Sequence, residues 1–186
     1  MGFLLMIAQA LYFMLPAYAA NMAPVLFKST FKPLAKPIAP KIKLRGKSLF
    51  GAHKTFRGLL VAGIAGILVF LLQEWLYNLP LFQSISLFDY DSMFQAYSVL
   101  PGFLLGFGAI FGDLIESAVK RQLDIKPGAK FMPWDQIDFV IGSLIFLAVL
   151  YVPSWQVVLI ILVLTPALHI AANHLGYYLK LKKVKW

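Results

Sequence analysis

The sequence predicts an all-α integral membrane protein of five transmembrane helices, with its N-terminus outside and its C-terminus in the cytoplasm. Three observations carry that prediction. Hydrophobic residues make up 60% of the 186 residues and mean hydropathy is +0.77, well above the roughly 45–50% apolar content of a soluble domain. Five apolar runs separate the polar stretches. All 17 Lys and Arg residues fall into three groups: nine between Lys28 and Arg57, four between Lys120 and Lys130, and four between Lys180 and Lys185.

Crossing a hydrocarbon core takes about 20 helical residues. The runs at about 2–27, 58–79, 97–119 and 155–179 meet that length, and 137–152 is a shorter fifth span. Basic loops face the cytoplasm, so residues 28–57 and 120–136 are expected as cytoplasmic loops of one 186-residue membrane domain. The connection 78–96 carries Asp89 and Asp91 but no cation, and Pro153-Ser154 makes a tight turn, so both belong outside. Ala17-Tyr18-Ala19 resembles a signal-peptidase site. Cleavage there would put the nine cations of 28–57 on the wrong face, and a basic leader region is lacking, so the first run is expected to stay as a span. Pro16 and Pro24 are expected to bend it, and Pro166 to kink the last span.

The chemistry open to the chain is bounded by its composition. With no cysteine, disulfides, thiolate nucleophiles and Cys-ligated zinc or iron–sulfur clusters are excluded. Any metal sits on oxygen or imidazole.

The loop 28–57 begins with Pro33, Pro37 and Pro40 among lysines, which favours extended chain along the membrane surface. It ends in Gly51-Ala52-His53-Lys54-Thr55-Phe56-Arg57-Gly58 at the start of a span. Freed backbone amides, a helix N-terminus and fixed cations suit a phosphate, making Lys54, Thr55, Arg57 and Gly58 candidate binding residues. The competing reading is a patch for anionic lipid headgroups.

Five of the eight carboxylates lie between Gly112 and Asp138. On one helix Asp113, Glu116, Ser117, Lys120 and Arg121 share a face. Lys126-Pro127-Gly128 and Pro133 then turn the chain, and Asp135 and Asp138 open the next span, which returns to the depth just left. Carboxylates converging beside cations fit a magnesium site for phosphoryl or nucleotidyl chemistry. They also fit a structural ion-pair network, and Asp135 and Asp138 could simply stabilise a helix N-terminus.

The run Gly112-Asp113-Leu114-Ile115-Glu116-Ser117-Ala118-Val119-Lys120-Arg121, followed by Lys126-Pro127-Gly128, Pro133 and Asp135-Gln136-Ile137-Asp138, resembles the signature of the CTP-dependent phosphatidate cytidylyltransferases. Three departures stand out: Pro127 replaces an Asp, the HGG element is missing around Phe131–Trp134, and Gln136 replaces an Arg. With the short chain and the 51–58 loop, the altered pattern resembles their archaeal branch, the CDP-archaeol synthases.

That resemblance implies a Mg²⁺-dependent nucleotidyltransferase of phospholipid biosynthesis. It would transfer CMP from CTP to an isoprenoid ether-lipid phosphate, 2,3-di-O-geranylgeranylglyceryl 1-phosphate, and release pyrophosphate. It implies Asp113 and Asp135 as metal ligands with Asp138 a third carboxylate, and Lys120, Arg121, Lys126 and Gly128 around the phosphates. Lys54 and Arg57 would close from the first loop, while Glu116 and Ser117 would be supporting residues. Asn21, a polar group near the end of the first span, is a candidate for reading cytosine or ribose. His169 and His174, five residues apart, do not share a face as a metal pair would and are expected to pack against neighbouring helices.

The expected partners are CTP, the lipid phosphate and membrane lipids at the cytoplasmic face of the cell membrane, with no nucleic acid and with a homodimer left open. A CDP-diacylglycerol synthase acting on phosphatidate is the near alternative. A small channel or transporter is the distant one, but it gives no reason for a basic loop and a Lys-Pro-Gly turn on one side.

Overall fold

The computed structural model describes residues 2–51, 53–126 and 129–181; Gly128, a candidate phosphate contact, lies outside them. The chain folds as an up-and-down helical assembly. α1 (Phe3–Leu26), α2 (Phe56–Leu76), α5 (Leu100–Gln122), α6 (Trp134–Leu147) and α7 (Trp155–Tyr178) run along the five expected spans. Among the described residues four of these, α1, α2, α5 and α7, are long and apolar enough to cross a membrane. α6 has 14 residues, roughly 21 Å at the helical rise, which is short of a hydrocarbon core of about 30 Å. α1 and α7 run unbroken through Pro16, Pro24 and Pro166. Four such helices describe a multi-pass membrane protein.

Close backbone approach sets the arrangement around α5. A methyl group built on Gly66 of α2 would lie 2.8 Å from Gly106 Cα, and one on Gly142 of α6 would lie 2.8 Å from Gly112 N. Small residues let helix backbones meet where apolar burial gives no net drive between helices in lipid. Gly102 against Phe70 and Gly106 against Ala62, with Gly108 against Ser143 and Gly112 against Asp138, make α5 antiparallel to both neighbours. Polar side chains fasten the other contacts. Gln73 Nε2 of α2 donates to the Tyr12 carbonyl of α1 at 2.5 Å, and Tyr18 of α1 and Thr165 of α7 share a hydroxyl hydrogen bond of 2.9 Å.

The core runs through the bundle from Phe13, Met14 and Ala17 to Leu105, Ala109, Phe139, Val140 and Ile161. Opposite the basic loops, the connection 78–96 is structured. It holds α3 (Pro80–Ser84) and α4 (Tyr90–Tyr97), the latter capped by Asp89, which accepts from Ser92 N at 2.9 Å. Tyr90 buries there with Tyr12 and Phe70. Asp89 is thus a helix cap, and Ser98 with φ +52° ends α4, so α5 begins three residues later than the apolar run.

The basic segment after α1 is folded as well. A 3₁₀ turn at Lys32–Leu34 precedes a hairpin of β1 (Lys43–Leu44) and β2 (Lys47–Ser48). Its two-residue turn, Arg45 at φ +52° and Gly46 at φ +78°, has the positive angles of the primed turns that match strand twist. A bridge between Pro37 and Thr55 ties the proline-rich stretch to the start of α2, with Ile38 N donating to Lys54 O at 2.9 Å.

If the α5–α6 contact positions the site, Gly142→Ala should lower stability by about 2 kcal/mol or more, the usual cost of overpacking. Thermal melts in detergent should show a clear fall in Tm, while Gly2→Ala, with no atom within 4 Å of its added methyl, should melt like the parent.

Candidate functional site

The end of the bundle formed by the C-termini of α1, α5 and α7 and the N-termini of α2 and α6 encloses a cavity of about 360 Å³. Lys54, Arg57, Lys120 and Lys130 are the cations in its lining among the described residues, and Asp113, Asp135 and Asp138 the carboxylates. The predicted residues Asn21, Thr55 and Gly58 also line it, as does His53. Arg121 and Lys126 do not.

α5 supplies the acidic half of the site through its helical repeat. Asp113 and Glu116 stand one turn apart, and α6 brings Asp138 across, so that one carboxylate oxygen from each lies within 4.8 Å of the others. Glu116 is the residue that sequence reasoning left as support. Its placement follows from the same i, i+3 spacing that selected Asp113. Asp135 is not one of this trio, although its carboxyl lies against that of Glu116: its Oδ1 accepts from Lys120 Nζ at 2.6 Å and its Oδ2 from Phe131 N at 2.5 Å.

Three lysines and one serine hold the assembly. Lys120 also lies 3.1 Å from Glu116 Oε1, at an angle that leaves this buried oxygen without a hydrogen bond. Lys54 reaches Asp113 Oδ2 at 2.5 Å. Ser117 Oγ accepts from Gly51 N at 3.3 Å, fixing the loop that carries Lys54. Lys47 closes the far end of the loop, donating to Gln122 O at 3.0 Å and to Asp124 Oδ2 at 2.5 Å. There the helix ends with Asp124 left-handed at φ +59° and Ile125 N bonded back to Lys120 O at 2.9 Å, a Schellman-type stop to which the Lys47 cation adds favourable charge.

At the start of α2, Thr55 is the N-cap, its hydroxyl accepting from Gly58 N at 3.2 Å. This local capping bond engages both residues. Arg57 donates to the Lys28 carbonyl, pinning the start of the segment after α1. Lys126 is exposed, and its carbonyl accepts from Ala129 N at 3.0 Å.

A second, apolar cavity of about 390 Å³ lies between α1 and α7, lined by residues such as Leu11, Leu15, Met22, Leu168 and Ala172. It shares Asn21, Val25, His169 and Asn173 with the charged cavity. Asn21, His169 and Asn173 therefore mark a boundary between apolar and charged space. His174 turns back on its own helix, with Nδ1 2.8 Å from Ile170 O. On the other side of the α5–α6 pair, a groove of about 470 Å³ reaches Glu116 and Asp138 past Ile141 and Ile145.

The carboxylate trio fits a divalent metal on its own chemistry. All its donors are oxygens, as hard cations prefer, and Glu116 Oε1 is buried and off the hydrogen-bond angle of its ion-pair partner Lys120. The surrounding cations suit a polyphosphate, and the adjoining apolar cavity suits a lipid chain.

Comparison with known proteins points the same way. Residues 3–186 match the family model described as CarS-like, CDP-archaeol synthase. The chain is similar to the CDP-archaeol synthase of Pyrococcus furiosus, at 36% identity over 97% of this chain and 98% of that one. It is similar to that of Thermococcus gammatolerans at 37% identity over the full length of both. A solved structure of an intramembrane enzyme for archaeal membrane lipid biosynthesis superposes with a TM-score of 0.67 at 28% identity, over 88% of this chain and 92% of that one.

Lys120 is buried between two carboxylates, so its removal leaves uncompensated charge, a change that costs about 3 kcal/mol or more. Lys120→Met should accordingly lower Tm in detergent. Adding Glu116→Gln should raise the Tm of that variant again, and a double variant no more stable than the single would show that the lysine acts through packing alone.

Proposed function

The chain belongs to the CarS-like, CDP-archaeol synthase family, and we propose that it transfers CMP from CTP to an archaeal ether-lipid phosphate, 2,3-di-O-geranylgeranylglyceryl 1-phosphate, releasing pyrophosphate. The observation that carries this reading is that the charged and apolar cavities adjoin, sharing Asn21, Val25, His169 and Asn173 in their linings. An amphiphile with its chains between α1 and α7 presents its phosphate to the carboxylate trio and the lysines.

The reaction is an in-line displacement at the α-phosphorus of CTP by an oxygen of the lipid phosphate. A phosphate monoester is already ionised near neutrality, its second pKa being near 6, so no protein base is needed. What the site must supply is alignment and charge neutralisation. Asp113, Glu116 and Asp138 are the residues that would hold Mg²⁺, which when bound offsets phosphate charge and orients phosphate oxygens. Lys54, Arg57 and Lys130 face the polyphosphate from the loops. Asp135 positions Lys120, which lines the same space. Asn21 and Asn173 sit where the glycerol or the nucleoside meets the boundary between charged and apolar surroundings.

The basic loops at this end of the bundle favour the cytoplasmic face, where CTP is available and where pyrophosphate would leave. The lipid enters sideways from the membrane, so its chains never cross the charged cavity. The groove past Ile141 and Ile145 reaches the same carboxylates from behind but shares neither the lysines nor the asparagines of the cavity.

With purified protein, labelled CTP and Mg²⁺, label should pass into the ether-lipid phosphate. Asp113→Asn and Asp138→Asn should each reduce the rate by about a hundredfold or more, in the range of lost electrostatic stabilisation; near-parental activity in Asp113→Asn would remove the metal assignment. Ester phosphatidate run in parallel tests the choice of lipid.

Filling the α1–α7 groove should raise KM for the lipid with little change in kcat or in KM for CTP, as expected for lost uniform binding. Ala172→Trp should show this by about tenfold, and Ile145→Trp should not. The reverse pattern would assign the lipid to the other groove.

A further inference from the structure

Lys54 occupies an unusual place for a residue assigned to phosphate. Its ammonium lies 2.5 Å from Asp113 Oδ2, with both side chains about three-quarters buried at 21% and 25% exposure. Among the described residues Lys54 is the cation paired with Asp113, Lys120 serves Glu116 and Asp135, and Asp138 is in no ion pair, its Oδ1 accepting from its neighbour Phe139 N at 2.7 Å. Three carboxylates within 4.8 Å of one another repel, and Lys54 supplies the positive charge on the Asp113 side.

The backbone of Lys54 is fixed, whereas its side chain is held at its tip, by Asp113. Lys54 N donates to Gly51 O at 3.1 Å, and Lys54 O accepts from Ile38 N at 2.9 Å. The four-carbon stem keeps its rotational freedom. Away from Asp113, the ammonium faces the cavity that Arg57, Lys120 and Lys130 also line, which is the space a polyanion fills.

We infer that Lys54 is an exchangeable counter-ion: it neutralises Asp113 while the trio holds no divalent cation, leaves Asp113 when a divalent cation binds there, and then engages the phosphates of the nucleotide. This rests on the reading that the trio holds a divalent cation. It makes capture of the nucleotide by Lys54 contingent on the metal, and Lys54 becomes a positioning residue that changes partner during the cycle.

The test is Mn²⁺ binding to the full chain in detergent, without nucleotide, followed by titration calorimetry. Removing the competing ammonium in Lys54→Met should tighten Mn²⁺ binding by about tenfold, the scale of a partly buried charge pair. Lys54→Arg should behave like the parent. Arg57→Met removes the same charge from the same cavity without freeing a carboxylate, and should shift binding by less than about twofold. Mn²⁺ binding to Lys54→Met no tighter than to Arg57→Met overturns the inference and leaves the metal reading standing. A parent protein that binds no Mn²⁺ overturns both. If Lys54→Met does not fold, acetylation of the parent by acetic anhydride, read by mass spectrometry, decides. Modification of Lys54 should rise severalfold when Mn²⁺ is added, and an unchanged rate overturns the exchange.

Discussion

The site depends on how closely α5 can approach its neighbours. Where Gly112 and Gly142 face each other, even a methyl group would lie within 3 Å of backbone. That contact brings two acidic helices near enough for Asp113, Glu116 and Asp138 to share a space of 4.8 Å. With ordinary side chains in the seam the helix axes would sit some 8–10 Å apart, and the carboxylates would belong to two separate surfaces. The glycines of a membrane helix here do more than allow packing. They set the distance at which the chemistry becomes available.

Bringing the carboxylates together has an electrostatic cost that the rest of the site offsets. At 4.8 Å and an effective dielectric of about 20, each pair of ionised groups repels by about 3 kcal/mol, comparable with a large share of a domain's stability. Lys120, fixed on the same helix, and Lys54, brought by the loop, compensate for it. The loop is therefore part of the site rather than a cover over it. Its hairpin, the Ser117–Gly51 bond and the Lys47 contact at the end of α5 all serve to bring one ammonium to one carboxylate. The anionic-lipid patch that the lysine content also suggested would need none of this tertiary structure.

Much of this was legible in the sequence, for reasons of periodicity. The apolar runs located five helices to within about three residues at nearly every end, and the first two basic groups marked the end of the bundle that carries the charged cavity. The spacing of Asp113, Lys120, Asp135 and Asp138 gathered them correctly at that end. What remained hidden depends on tertiary placement. Glu116 and Asp135 have the same chemistry and similar spacing, and only the rotation of α6 against α5 decides that Glu116 joins the trio while Asp135 takes Lys120 and Phe131 N. Arg121 shares a helical face with Asp113 on paper but sits beyond the cavity lining. Thr55 and Gly58 read as phosphate ligands, yet they satisfy each other as a helix cap. The partnership of Lys54 with Asp113 spans 59 residues, and no local pattern encodes it.

The central claim is that α5 and α6 together form one cation site beneath the nucleotide's phosphates. Crystals grown with CTP and Mn²⁺ test it most directly through the anomalous scattering of manganese. The account predicts a peak in coordination contact with the Asp113 and Asp138 carboxylates, with Lys54 moved onto phosphate. A peak held by Asp135 without Asp113, or one away from the α5–α6 seam, would contradict it.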